Sequence, residues 1–98
     1  MSYKLVLKGH LTKEVTEAFL YYEFQQANLV YKFLHALKET LTVLEKHPLT
    51  YQAVYRNFRQ IRIIPFPFVL HFEIIEKTVV VYQLFNCRRN PKKRFKKL

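Results

Sequence analysis

The chain has 98 residues, enough for one domain, and half of them are hydrophobic with a single Gly, so a packed core is expected rather than a disordered coil. Seventeen Lys+Arg against seven acids give a formal charge of +10, and with no Asp among those acids the clustered carboxylates that hold a catalytic Mg²⁺ are not to be expected. One Ser, one Gly and one Cys argue against a Ser-His-Asp arrangement, a Gly-rich phosphate cradle, an internal disulfide and a CxxC zinc site, so no cofactor and no metal site are expected.

In chain order, Tyr3 to Leu7 alternates and reads as a short strand closed by Gly9. From Thr12, a candidate N-cap, Val15, Ala18, Phe19 and Tyr22 recur at helical spacing, with Glu14 and Glu17 near the N-terminal dipole. This predicts a helix to about Gln26. After an interruption at Asn28, the residues Val30, Phe33, Leu34, Leu37, Leu41 and Leu44 keep helical spacing until Pro48, which predicts a second helix and a helical hairpin. The aromatic residues Phe19, Tyr21, Tyr22, Phe24, Tyr31 and Phe33 exceed what one small core absorbs; Phe19, Tyr22 and Phe33 are assigned to it, and the remainder are available to a partner.

Beyond Pro48 the composition turns β-branched and aromatic, in three runs at about 54–64, 66–75 and 79–85, the last two separated by Glu76-Lys77-Thr78 at hairpin length. Phe68, Leu70, Phe72 and Ile74 share the core face of the middle run, opposite Val69, His71 and Glu73. Pro65 and Pro67 cannot both sit in a central ladder and are assigned to a bend at its entry. Tyr82, within VVVYQLF, is expected in the core. The predicted fold is α+β: an N-terminal strand, a two-helix hairpin, then an antiparallel three-strand meander completing one sheet. One domain spans 1–98, with a basic tail at 92–98. Residues 86–98 carry seven Lys/Arg and no acid, which leaves +3 on residues 1–85. No apolar run approaches the roughly 18–20 residues of a bilayer span, and Met1-Ser2-Tyr3-Lys4 opens no signal-peptide apolar region, so a cytoplasmic protein without membrane contact is expected.

This order of elements, together with EVTEAFLYYEFQQANLVYKF, IIPFPFVLHFEI and VVVYQLFNCRRNP, resembles the RelE/ParE superfamily of bacterial type II toxins from about Tyr3 to Pro91. The most specific pieces are Phe66-Pro67-Phe68 at a strand entry and Asn86-Cys87-Arg88-Arg89-Asn90-Pro91, similar to the family's His-x-x-Arg-x-Pro signature. The resemblance implies a growth-arresting toxin held in a hetero-oligomer by a cognate acidic antitoxin. It leaves two targets: DNA gyrase in the ParE manner, or ribosome-bound mRNA in the RelE manner.

Two departures bear on that choice. Ribonuclease members commonly carry Arg after the aromatic of the strand that here reads Phe68-Val69-Leu70, and many carry His where Asn86 stands. A valine cannot stabilise a phosphorane, and an amide exchanges no proton near neutral pH. Both favour the ParE manner. Metal-free RNA cleavage would rest on Arg62 and Arg89, the arginines that match family positions. The wider set for contact with a target or nucleic acid is Arg59, Arg62, Arg88, Arg89, Lys92, Lys93 and Arg94; these residues either face phosphate or form a charged surface for partner carboxylates. Arg59 falls on the face opposite Arg62 if the strand is regular. His71 is read as a structural histidine or a general base.

Overall fold

The computed structural model describes residues 2–88. Strand β1 (Lys4–Leu7) leads into helices α1 (Gly9–Gln25) and α2 (Ala27–Lys46), a single 3₁₀ turn at Pro48–Thr50, and strands β2 (Ala53–Tyr55), β3 (Phe58–Arg62), β4 (Phe68–Ile75) and β5 (Thr78–Asn86). The strands form one sheet in the order β1-β5-β4-β3-β2. From β2 to β5 neighbouring strands pair antiparallel, as a meander should, whereas β1 pairs parallel to β5 with Lys4 opposite Thr78 and Leu7 opposite Val81, so the sheet is mixed.

The run expected as one strand at 54–64 is a small hairpin, because Arg56 takes a left-handed conformation (φ 54°) and turns the chain between β2 and β3. The helices begin earlier than the capping pattern suggests. Lys8 is the N-cap residue of α1 and still donates its N–H to the Val81 carbonyl, so the residue just past β1 both closes the ladder's hydrogen bonding and starts the helix. Thr12 therefore lies inside α1 and caps nothing; its carbonyl accepts from the Thr16 hydroxyl. Glu14 turns toward the sheet instead of marking the first turn. Between the helices the break is at Gln26, one extended residue (φ −162°, ψ 139°), and Asn28 is already helical. At the far end α2 stops at Lys46 and Pro48 opens the 3₁₀ turn, as a proline at a first helical position allows.

The helical hairpin covers one face of the sheet. Leu11, Ala18 and Tyr22 of α1 and Val30, Phe33 and Leu44 of α2 pack on Ile61, Phe68, Leu70, Phe72, Val79, Val81 and Leu84. Four rings concentrate at one end of this core: Tyr22 and Phe33 each lie against both Phe66 and Phe68, with centroids 5.1–6.2 Å apart. Burying such a ring is worth about 1.5–3 kcal/mol. Phe66 reaches this cluster because Ile64-Pro65 turns the chain between β3 and β4, with the Phe66 N–H donating to the Ile63 carbonyl; both prolines sit in the bend, as expected. Among the described residues no helix is long and apolar enough to cross a membrane.

Candidate functional site

The opposite face of the sheet bears no helix among the described residues, and the alternation of β3 and β4 decides what it presents. Phe58, Gln60 and Arg62 alternate with the inward Ile61, while Val69, His71 and Glu73 alternate with Leu70 and Phe72. On β5 the alternation breaks. The register runs His71↔Gln83 and then Phe72↔Val81, which leaves Tyr82 as an extra residue in a β-bulge. Beyond the bulge the parity switches: Leu84 enters the core while Tyr82, Gln83 and Phe85 join the helix-free face. Tyr82 is thus not a core residue, contrary to the expectation from strict alternation.

Across the centre of this face, Gln60, His71 and Gln83 stand directly opposite one another on three adjacent strands. His71 is wholly buried and Gln83 nearly so. The Gln83 amide nitrogen lies 2.9 Å from His71 Nδ1 and the Gln60 amide oxygen 3.3 Å from His71 Nε2. With the amide donating to Nδ1, the ring is assigned its proton on Nε2, which donates to Gln60. A histidine held at both nitrogens and closed off from water satisfies a buried polar ladder; it is not presented to a substrate as a base.

Beside the ladder the face is aromatic. Phe58 meets Tyr82 edge-on at 5.2 Å, Lys8 Nζ sits 5.9 Å above the Tyr82 ring, and the Tyr82 hydroxyl donates to Glu73 Oε1 at 2.8 Å. Burial, followed by the hydrogen bond and charge of Glu73, pushes the Tyr82 phenol above the ordinary value of 10.0. In the core cluster, burial and the neighbouring Tyr21 raise the Tyr22 phenol in the same way, opposed by the positive charge of Arg88.

Of the described arginines predicted from the sequence, Arg59 and Arg62 fall on opposite faces of the sheet. Arg62 is exposed at the end of β3 on the helix-free face, directly across from Val69. Arg59 faces the helices, as the strand parity required, and is half-buried with its Nη1 donating to the Tyr51 carbonyl; it ties the 3₁₀ turn to β3. Arg88 is exposed just past β5, where its backbone N–H donates to Asn86 Oδ1 at 3.0 Å. Arg89, Lys92, Lys93 and Arg94 lie outside the described residues. Val69 itself is 1% exposed, flanked across the strands by Arg62 and Phe85. Asn86 is consumed in the turn that leads to Arg88, where its amide acts as a local acceptor. The sequence did not single out Gln60, Gln83, Glu73 or Lys8. Gln60 and Glu73 were visible in strand parity, but the bulge at Tyr82 hid the partners on β5.

No sequence-family model matches the chain, and no curated protein matches it by sequence. Solved structures do match in shape. The chain superposes on the chromosomal ParDE toxin–antitoxin system of P. aeruginosa with a TM-score of 0.76 at 11% identity, over 87% of this chain and 96% of that one. It also matches the E. coli DinJ-YafQ toxin–antitoxin complex (TM-score 0.59, 17% identity, 89% of this chain and 94% of that one) and YafQ from E. coli strain BL21(DE3) (TM-score 0.55, 17% identity, 86% and 92%). The fold is therefore that of the RelE/ParE toxins, as the sequence resemblance implied.

Proposed function

We propose that the chain is the toxin of a type II toxin–antitoxin pair and that it arrests growth in the ParE manner, through DNA gyrase, rather than by cutting ribosome-bound message. One observation carries the choice: the position at which ribonuclease relatives commonly hold a phosphate-facing Arg is here Val69, packed away from solvent between Arg62 and Phe85. Removing one group that stabilises a developing charge costs about 10²–10³ in turnover. Of the other titratable groups on that face, His71 is locked between two glutamine amides and Tyr82 holds its proton toward Glu73, so neither offers a general base beside Arg62. ParE-type inhibition asks for no catalytic group of the toxin's own, and the likeness in fold to the ParDE system agrees with it. The +10 charge suits a cognate antitoxin with an acidic amphipathic segment.

The test pairs two assays after induction in a bacterial host. Primer extension on a translated reporter is expected to show no A-site cuts, and a supercoiling assay with purified gyrase is expected to show inhibition. Discrete cuts that vanish with Arg89→Ala and are absent from untranslated message would overturn the gyrase reading in favour of a RelE-type endonuclease. The antitoxin is tested separately, by co-expression with the adjacent gene; toxin that elutes alone at moderate salt would count against it.

A further inference from the structure

Of the four histidines, His71 alone is closed off from water; His10, His35 and His47 are exposed. It stands at the centre of the helix-free face, with Gln60 of β3 on one side and Gln83 of β5 on the other. The Phe85 ring packs beside it, its centroid 6.2 Å away. The two amides bracket the imidazole in one protonation state: Nδ1 accepts from the Gln83 amide nitrogen at 2.9 Å, and Nε2 donates to the Gln60 amide oxygen at 3.3 Å.

A second ring proton has no place in this arrangement. It would sit on Nδ1 and point at an amide that is itself a donor, so two donors would face each other unless Gln83 turned its amide over inside a site where that side chain is 1% exposed. The charge would also be sealed from water, and burial disfavours the charged form of a histidine. Among the described residues, the charged and titratable groups on this face do not reverse that preference. From β3, Arg62 stands on the same face and opposes a further positive charge. From β4, Glu73 lies two residues along the strand, about 6–7 Å away by strand geometry, and attracts it. From β5, the Tyr82 hydroxyl donates to that carboxylate, and Lys8, at the start of α1, lies over the Tyr82 ring. The one nearby anion is thus already hydrogen-bonded and is offset by two cations. The helices themselves cover the other face of the sheet.

We propose that Gln60, His71 and Gln83 form an acid-sensitive latch, which joins β3, β4 and β5 while the ring is neutral and comes apart when His71 takes a second proton. The folded chain excludes that proton, whereas the unfolded chain accepts it near the ordinary histidine value of about 6.5. The latch is therefore whole above about pH 6.5, and its contribution to stability falls away as the pH drops below that value. The inference concerns the sheet and does not depend on the toxin reading.

The test uses the full chain, urea unfolding at pH 7.5 and 5.5, and nitrogen NMR of the imidazole. In the folded chain the ring is expected to remain the neutral Nε2–H tautomer at pH 5.5. From pH 7.5 to 5.5 the unfolding constant of the unmodified chain is expected to rise about tenfold more than that of His71→Gln, which has no ring to titrate. Gln83→Glu puts an acceptor against Nδ1, so the folded site gains a proton in acid, and the sign of the difference from His71→Gln is expected to reverse. A ring that becomes doubly protonated near pH 6.5 in the folded chain overturns the proposal, as does the same pH dependence in the unmodified chain and in His71→Gln. Should His71→Gln fail to fold, the ring spectrum and the comparison of the unmodified chain with Gln83→Glu decide, and equal pH dependence of those two chains also overturns it.

Discussion

The carboxylate of Glu14 accepts a hydrogen bond from the backbone N–H of Leu84 at 3.0 Å. That amide needs a side-chain partner because the parallel ladder between β1 and β5 ends at Leu7↔Val81, and from there α1, not a strand, runs beside β5. The helix therefore supplies an acceptor where the edge of the sheet would otherwise be left open. Glu14→Ala is expected to destabilise the protein by about 1–3 kcal/mol, the range for losing a charged partner of a partly buried amide, while Glu14→Gln keeps an acceptor and costs less. Urea unfolding gives the size, and faster hydrogen exchange at Leu84 in the Ala variant identifies the bond.

Replacing Val69 by Arg tests whether the missing cation of the ribonuclease pattern can simply be restored. Val69 is 1% exposed and sits across from Arg62, so a longer charged side chain must either displace its neighbours or carry a second positive charge beside the first. Val69→Arg is expected to cost at least about 1–3 kcal/mol by overpacking and to yield no message cleavage. Denaturant midpoints and the reporter primer-extension assay measure the two effects. A stable variant that cuts RNA would contradict this account of the site.

Alkaline titration addresses the two perturbed phenols. Tyr22 and Tyr82 both have folded-state values raised above 10.0, chiefly by burial. A raised value means that the folded state holds the proton more tightly than the unfolded chain. Their contribution to stability is therefore whole below about pH 10 and is lost as the pH climbs from there through the folded-state values. Phenolate absorbance from Tyr22 and Tyr82 is expected to develop only above pH 10. Tyr82→Phe should remove part of it and soften the alkaline loss of stability.

The basic segment 92–97 contains five cations, Lys92, Lys93, Arg94, Lys96 and Lys97. If it contacts single-stranded nucleic acid, the slope of log K against log salt should steepen by about 0.7 per contact, roughly 3.5 at most. Truncation after Pro91 is expected to flatten that slope in a filter-binding titration. An unchanged slope would mean that these cations are merely solvated.

Much of this architecture is legible in the residues themselves, because the hydrophobic periods are strong and agree with one another. The stripe from Val30 to Leu44 foretells α2, and the parity of Phe68, Leu70, Phe72 and Ile74 foretells the core face of β4. Tyr22 and Phe33 are buried as assigned, and Tyr21, Phe24 and Tyr31 are the surplus left outside. What escapes the sequence is whatever depends on a single residue's backbone state. A left-handed Arg56 divides one expected strand into two, and the bulge at Tyr82 reverses the alternation of β5. A rule of strict alternation has no access to either event. The helix start escapes for a related reason: Lys8 finishes a ladder that only the tertiary pairing with Val81 creates, so a local capping signal at Thr12 misleads. At the candidate site, the opposition of Arg59 and Arg62 follows from parity alone, whereas the joining of Gln60, His71 and Gln83 required the register of three strands.

The parallel pairing of β1 with β5 ties the order of synthesis to the completion of the fold. The antiparallel pairs from β2 to β5 join neighbours in sequence, so each can form soon after its second strand exists; β1 is made first yet must wait for the last strand of the sheet. Until then Leu5, which packs on the core, and the ladder groups of β1 have no sheet to join. A nascent chain stalled between the end of α2 and β5 therefore has the helical hairpin but no seat for its N-terminal strand. Such a fragment would be sticky and incomplete, so truncated translation products should be cleared or aggregate rather than act, and activity should appear only with nearly the whole chain.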